Sequence, residues 1–118
     1  MKFNFEDLQV YQKSLDLVDE VYEMTKMFPK EEIYGLNSQY RRAVISISLN
    51  IAEGSGGTKK EFNRYLRIAS NSLKECIVCL TIAKRQNFIS EKAHDEMRQK
   101  LIEISKMISG LKKYLLKE

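Results

Sequence analysis

Gln39-Tyr-Arg-Arg-Ala-Val-Ile-Ser-Ile-Ser-Leu-Asn-Ile-Ala-Glu-Gly54 is the stretch that decides the fold class. At about 100° per residue, Gln39, Arg42, Ser46, Asn50 and Glu53 fall on one narrow stripe of a helix. Tyr40, Ala43, Ile47 and Ile51 flank the stripe on one side, and Ile45, Leu49 and Ala52 on the other. A helix that is apolar on both sides of a polar stripe packs inside an assembly of helices, and its charges then need partners. The expectation is a buried structural network of Gln39, Arg42, Ser46, Asn50, Glu53 and Glu75, with Arg41 or Arg42 pairing the carboxylates. Removing Arg42 or Glu53 should then disrupt folding or assembly more than removing any exposed lysine.

The segments on either side read as helices too. Upstream, a helix from about Asp7 to Phe28 ends before Pro29, which disfavours helix at the residue preceding it. Its stripe Leu8, Tyr11, Leu15, Val18, Tyr22 and Thr25 has the three-and-four spacing of a bundle seam. A second stripe, Val10, Leu17, Val21, Met24 and Phe28, runs beside it. Together they cover roughly 200°, twice what a surface helix usually buries, and the excess points to a subunit interface. Downstream, Gly54-Ser-Gly-Gly57 breaks the chain, and Thr58-Lys-Lys-Glu61 is a capping box for a third helix. That helix, reaching about Gln86, carries the heptad seam Phe62, Leu66, Ala69, Leu73, Cys76, Leu80 and Ala83. Ser90 caps a fourth, with the core line Ala93, Met97, Leu101, Ile104, Ile108, Leu111 and Leu115. Four helices joined by mostly short turns predict an all-α, antiparallel up-down-up-down four-helix bundle.

Composition agrees. The 118 residues hold one Pro and five Gly, with 43% hydrophobic and 31% charged residues, as in one globular domain spanning residues 1–118. No apolar run approaches the roughly 18 residues of a membrane span, and the first residues lack the apolar centre of a signal peptide. The expected location is the cytoplasm. The net charge of +4 is unevenly spread. Residues 1–57 carry 6 Lys and Arg against 9 Asp and Glu, whereas residues 58–118 carry 14 against 7. A polyanion partner is therefore sought in the second half.

Three motifs resemble catalytic or metal sites, and each has a simpler reading. Cys76-Ile-Val-Cys79 is a C-x-x-C, but it sits in an apolar helical seam without a second cysteine pair, which points to core packing. Glu91-Lys-Ala-His94 has the Glu-x-x-His spacing of di-metal bundles. It lacks the second motif and the further carboxylates, so the lone His94 is expected on a solvated, charged face. Gly54-Ser-Gly-Gly-Thr-Lys-Lys60 follows a helix and does not fit the phosphate-loop pattern. What remains there is a helix N-terminus beside two lysines, a place that suits a phosphate, against the simpler reading of a turn with a glycine cap. Glu53 and Glu75 have no nucleophile, histidine or metal set beside them. The expectation is a protein without enzymatic activity, cofactor, metal or small-molecule substrate.

The strongest functional feature is a basic ridge. Lys60, Arg64, Arg67, Lys74 and Arg85 project within about 40° of one line on the third helix, opposite much of the apolar seam. With Lys59 beside them they form the candidate nucleic-acid-binding set, and Lys112, Lys113 and Lys117 either extend it or complement the dipole of the last helix. The simpler reading is an ordinary solvated face. Aromatic residues do not interleave with the ridge, so base stacking is not expected on it. The main alternative is a protein-interaction scaffold whose basic face meets an acidic partner protein.

The chain also resembles a known family, the four-helix bundle proteins encoded in intervening sequences of bacterial 23S rRNA genes. The resemblance runs from Phe5-Glu-Asp-Leu8 and Tyr11-Gln12-Lys13 through Phe28-Pro29, Glu32 and Tyr34-Gly35-Leu36. It is densest at Gln39, Arg42-Ala43, Ser46-Ile47 and Asn50-Ile-Ala-Glu-Gly54. It continues through Glu61-Phe62, Tyr65-Leu66, Ala69 and Ser72-Leu73-Lys74-Glu75. Tyr11 stands where the family usually has Trp, and Ser48 where Pro is common. The resemblance implies a ring-like homopentamer of four-helix bundles. It also implies association with ribosomal RNA, and related bundles of diversity-generating retroelements partner a reverse transcriptase and bind nucleic acid.

Overall fold

The computed structural model describes residues 1–117. A single turn of 3₁₀ helix at Asn4–Asp7 leads into α1 (Gln9–Thr25), and a second at Lys30–Glu32 leads into α2 (Leu36–Ser55). Helices α3 (Lys59–Arg85) and α4 (Glu91–Leu115) complete an antiparallel bundle about 47 Å long. Among the described residues there is no strand, so the all-α four-helix expectation holds. Each boundary has a local cause. Thr58 and Glu61 form the reciprocal capping box, with Glu61 N–H donating to Thr58 Oγ1 at 3.1 Å and Thr58 N–H to Glu61 Oε1 at 2.8 Å. Ser90 Oγ accepts from Ala93 N–H at 3.1 Å. At the far end of α3, Asn87 adopts a left-handed φ of 63°, and Phe88 N–H reaches back to the Ala83 carbonyl at 2.9 Å. That is a Schellman closure, with asparagine in the position glycine usually takes.

The core consists of the α3 seam from Leu66 to Ala83, the α4 line Met97, Leu101, Ile104 and Ile108, and Tyr40, Val44, Ile47 and Ile51 of α2. Helix α1 differs from expectation. Its buried line is Val10, Leu17, Val21 and Phe28, the second stripe read from the sequence. The stripe from Leu8 to Thr25 lies mostly on the flank: Tyr11, Val18 and Tyr22 are half-buried, Leu15 is 40% exposed, and only Thr25 is fully buried. Two stripes about a third of a turn apart, both at seam spacing once Ser14 is counted, do not tell by period alone which one faces the bundle. Ser14 settles it, because it is fully buried and exchanges a 2.8 Å hydrogen bond with Ser48 of α2.

The structure also corrects the polar stripe of α2. Gln39, Arg42 and Glu53 are exposed on the single chain, as is Glu75 on α3, and none makes an ion pair or a side-chain hydrogen bond among the described residues. Only the middle of the predicted network forms. Ser72 Oγ donates to Ser46 Oγ at 2.8 Å, and Asn50 Nδ2 donates to the same oxygen at 3.0 Å. The charges at either end reach solvent, where they need no partner. Arg41 turns the other way, toward α1. Its Nε donates to Thr25 Oγ1 at 2.8 Å and its guanidinium lies 4.3 Å from the Tyr22 ring centre.

Candidate nucleic-acid interface

All six predicted binding residues, Lys59, Lys60, Arg64, Arg67, Lys74 and Arg85, are exposed on the outer face of α3. The seam fixes this. Once Leu66, Leu73 and Leu80 face the core, residues half a turn away must face solvent. At 1.5 Å per residue the line from Lys60 to Arg85 runs for about 37 Å. The cations are not evenly spaced along it. Lys59, Lys60, Arg64 and Arg67 crowd into the first two and a half turns, Lys74 stands two turns further on, and Arg85 is at the opposite end. Glu75 stands on the shoulder of the ridge next to Lys74, and Val78, 57% exposed, sits on its line.

The tertiary fold enlarges the crowded end. Asn63 Nδ2 donates to the Lys112 carbonyl at 3.2 Å, which brings the last turns of α4, with Lys112 and Lys113, beside the first turns of α3. Between them lies an open cleft of about 650 Å³ lined by Lys59, Lys60, Glu61, Asn63, Arg64, Arg67, Leu115 and Leu116. The Arg64 guanidinium lies over the Tyr65 ring, 4.7 Å from its centre. The helix N-terminus itself is partly engaged by its own cap. The Glu61 carboxylate takes the Thr58 N–H, and this bond holds its pKa below the ordinary value of 4.5. A phosphate bound here would be held by side chains rather than by the backbone amides that the glycine-rich turn seemed to offer.

The apparent chemical motifs resolve as structure. Cys76 and Cys79 are buried free thiols, and burial pushes both pKa values up, the opposite of what a reactive cysteine needs. His94 is not solvated as expected. It precedes Met97 by three residues, which puts it on the core seam of α4, and it is 9% exposed with Nδ1 2.9 Å from Asp95 Oδ1. Among the described residues no group of three or more His, Cys, Asp or Glu is placed to hold a metal ion. No helix among them is long and apolar enough to cross a membrane.

Sequence reasoning missed a second cationic place. Tyr22, Thr25, Lys26, Phe28, Lys30, Ile33, Tyr34, Asn37, Ser38, Arg41, Arg42 and Ile45 line an open cleft of about 620 Å³ where α1 hands over to α2. Its cations come from the acidic half of the chain and are scattered over 17 positions from Lys26 to Arg42, so no local pattern announces them.

Residues 6–110 match the 23S rRNA-intervening sequence protein family. Among solved structures, a protein of unknown function from the S23 ribosomal protein family of Bacteroides thetaiotaomicron is similar in fold. Its TM-score is 0.81 at 23% sequence identity, over 88% of this chain and 98% of that one. No curated protein matches the chain. Neither similarity indicates an enzyme family. The family match reaches from the first 3₁₀ turn to the last turns of α4, and on that ground the chain belongs to the 23S rRNA-intervening sequence protein family.

Proposed function

We propose that this is a non-enzymatic, oligomeric accessory protein of the cytoplasm that binds RNA through the outer face of α3, ribosomal RNA being the candidate its family's name points to. The observation that carries the reading is the crowding of Lys60, Arg64 and Arg67 beside Lys112 and Lys113 at one end of the bundle. The one carboxylate lining that cleft, Glu61, is engaged in a helix cap. Such a cluster is suited to phosphate contacts that position a nucleic acid without reading its bases. Assembly would multiply it. The exposed Leu15 and Leu49 support a subunit interface, and a homopentamer is the assembly the resemblance implies. In a ring the basic face recurs once per subunit, so weak contacts add.

The test is the salt dependence of binding to a structured ribosomal RNA fragment, for the wild-type chain and for Lys60→Glu/Arg64→Glu/Arg67→Glu. Affinity should fall with salt by a log–log slope of about 0.7–0.9 per phosphate contact and be lost in the variant. A folded oligomer that binds no RNA at low salt overturns the reading. The rival then gains: a scaffold for an acidic partner protein, which the apolar Val78 and Ile82 along the cationic line favour.

A further inference from the structure

We propose that the cleft between the C-terminal end of α1 and the N-terminal end of α2 binds one nucleotide of single-stranded RNA, stacking its base on Tyr34 and holding its phosphate with Arg42 and Lys30. The inference does not rest on the α3 face, which lies on another helix.

Three observations carry it. The first is charge. Lys26, Lys30, Arg41 and Arg42 all line the cleft and no Asp or Glu does, although this half of the chain is net acidic. Lys26 is tied to Glu23 at 2.6 Å, and Arg41 is held against α1 by Thr25 and the Tyr22 carbonyl. Arg42 makes no ion pair or hydrogen bond among the described residues and is exposed. Lys30 is likewise exposed and without a side-chain partner among the described residues, so these two cations are left to meet an anion from outside.

The second is the aromatic lining. Tyr34 is 97% exposed, with no packing role in the chain. In the same cleft, the Arg41 guanidinium lies over the Tyr22 ring at 4.3 Å, held in place by two hydrogen bonds. A free tyrosine ring lining the same cleft as a stacked Arg–Tyr pair suits a planar heterocycle, and stacking of this kind is how proteins hold unpaired bases. An acidic peptide would use the cations and leave the rings idle. The third is size. At about 620 Å³ the cleft falls within the usual range for small-ligand sites, enough for a nucleotide and too little for a duplex end. Ser38 and Asn37 add polar groups on the same wall, and Asn37 is anchored there by Nδ2 donating to the Thr25 carbonyl at 2.9 Å.

The experiment uses the full chain and four probes: labelled single-stranded oligoribonucleotides, the matching oligodeoxynucleotides, a blunt RNA duplex, and a polyglutamate peptide. The readout is probe anisotropy together with tyrosine fluorescence, which is usable because the chain has no Trp and six Tyr. Tyr34→Ala and Arg42→Glu should each weaken single-strand binding about tenfold or more, while Tyr34→Phe stays within about twofold of wild type. Duplex binding should be unchanged in Tyr34→Ala and reduced in Lys60→Glu/Arg64→Glu, which reports on the α3 face separately. Tyr34 is exposed, so unchanged circular dichroism and melting in its variants are expected and exclude misfolding as the cause. Single-strand affinity that is indifferent to Tyr34→Ala overturns the proposal. So does a peptide that binds as tightly as the oligonucleotide, because the cleft would then be reading charge alone. Equal affinity for the matching oligodeoxynucleotide overturns its restriction to RNA.

Discussion

At the residue scale, burial rather than partner charge sets the state of Tyr40, Cys76 and Cys79. Tyr40 is wholly enclosed in the core and its hydroxyl has no hydrogen-bond partner. A buried hydroxyl left unpaired costs about 1–3 kcal/mol, so Tyr40→Phe should raise stability by roughly 1 kcal/mol in urea denaturation. A lower midpoint would mean that the hydroxyl has found a bound water worth keeping. Burial also pushes the Tyr40 phenol and the Cys76 and Cys79 thiols to higher pKa, with the neighbouring acidic groups adding to the shift. The consequence for stability has a definite sign. Below the ordinary thiol value of 9.0 these groups are protonated whether folded or unfolded, and the stability is fully present. Above it the unfolded chain sheds protons that the folded chain keeps, so stability falls as pH rises, by up to about 1.4 kcal/mol per pH unit and group. Urea midpoints measured from neutral pH to pH about 10 should drop above 9.0 in the wild type and drop less steeply in Cys76→Ala. Cysteine content, spacing and seam position had already marked these thiols as packing groups. The inward turn of His94 was legible too, as the residue three before Met97, but the charged residues beside it masked the phase.

At the element scale, two glycines in helices should respond oppositely to alanine. Gly54 is buried where α2 meets α3, and a Cβ there would stand 2.6 Å from Tyr65 Cβ and 2.9 Å from Phe62 Cδ1. The clash outweighs the roughly 1 kcal/mol that alanine contributes to an open helix, and Gly54→Ala should lose about 1–2 kcal/mol net. Gly110 lies within α4 with nothing inside 4 Å of its would-be Cβ, so Gly110→Ala should gain about 0.5–1 kcal/mol. Parallel thermal melts decide both, and a stabilised Gly54→Ala would show that the α2–α3 turn relaxes freely. The helix limits themselves were largely readable. Thr58 and Ser90 cap where their sequence signatures place them, and Pro29 stops α1 within a few residues of where it must. The phase of α1 was masked, because the Leu8–Thr25 stripe runs unbroken at seam spacing whereas the more apolar Val10–Phe28 stripe is interrupted by Ser14, whose burial against α2 only the fold reveals.

At the scale of the whole molecule, the apolar surplus of α1 becomes part of a shared face. The Ser14–Ser48 bond sets α1 and α2 side by side, and the residues that follow, Leu15 and Leu49, are 40% and 57% exposed. Tyr11, Val18, Ile45 and Ala52 surround them half-buried. If this face joins subunits, Leu15→Glu/Leu49→Glu should convert the assembly to folded monomers in analytical ultracentrifugation while leaving helix content intact. An unaltered sedimentation coefficient would move the interface elsewhere. The sequence by itself determined the helical class, the four segments, their caps and the solvent-facing cations of α3, because helical periodicity and capping act within a few turns of chain. Only the tertiary structure decided which stripe of α1 is core, that the α2 stripe ends in solvent, and that Tyr22, Tyr34, Arg41 and Arg42 share one cleft. Those outcomes depend on how one helix is rotated against another, which is set by contacts between distant residues and leaves no periodic trace in either segment alone.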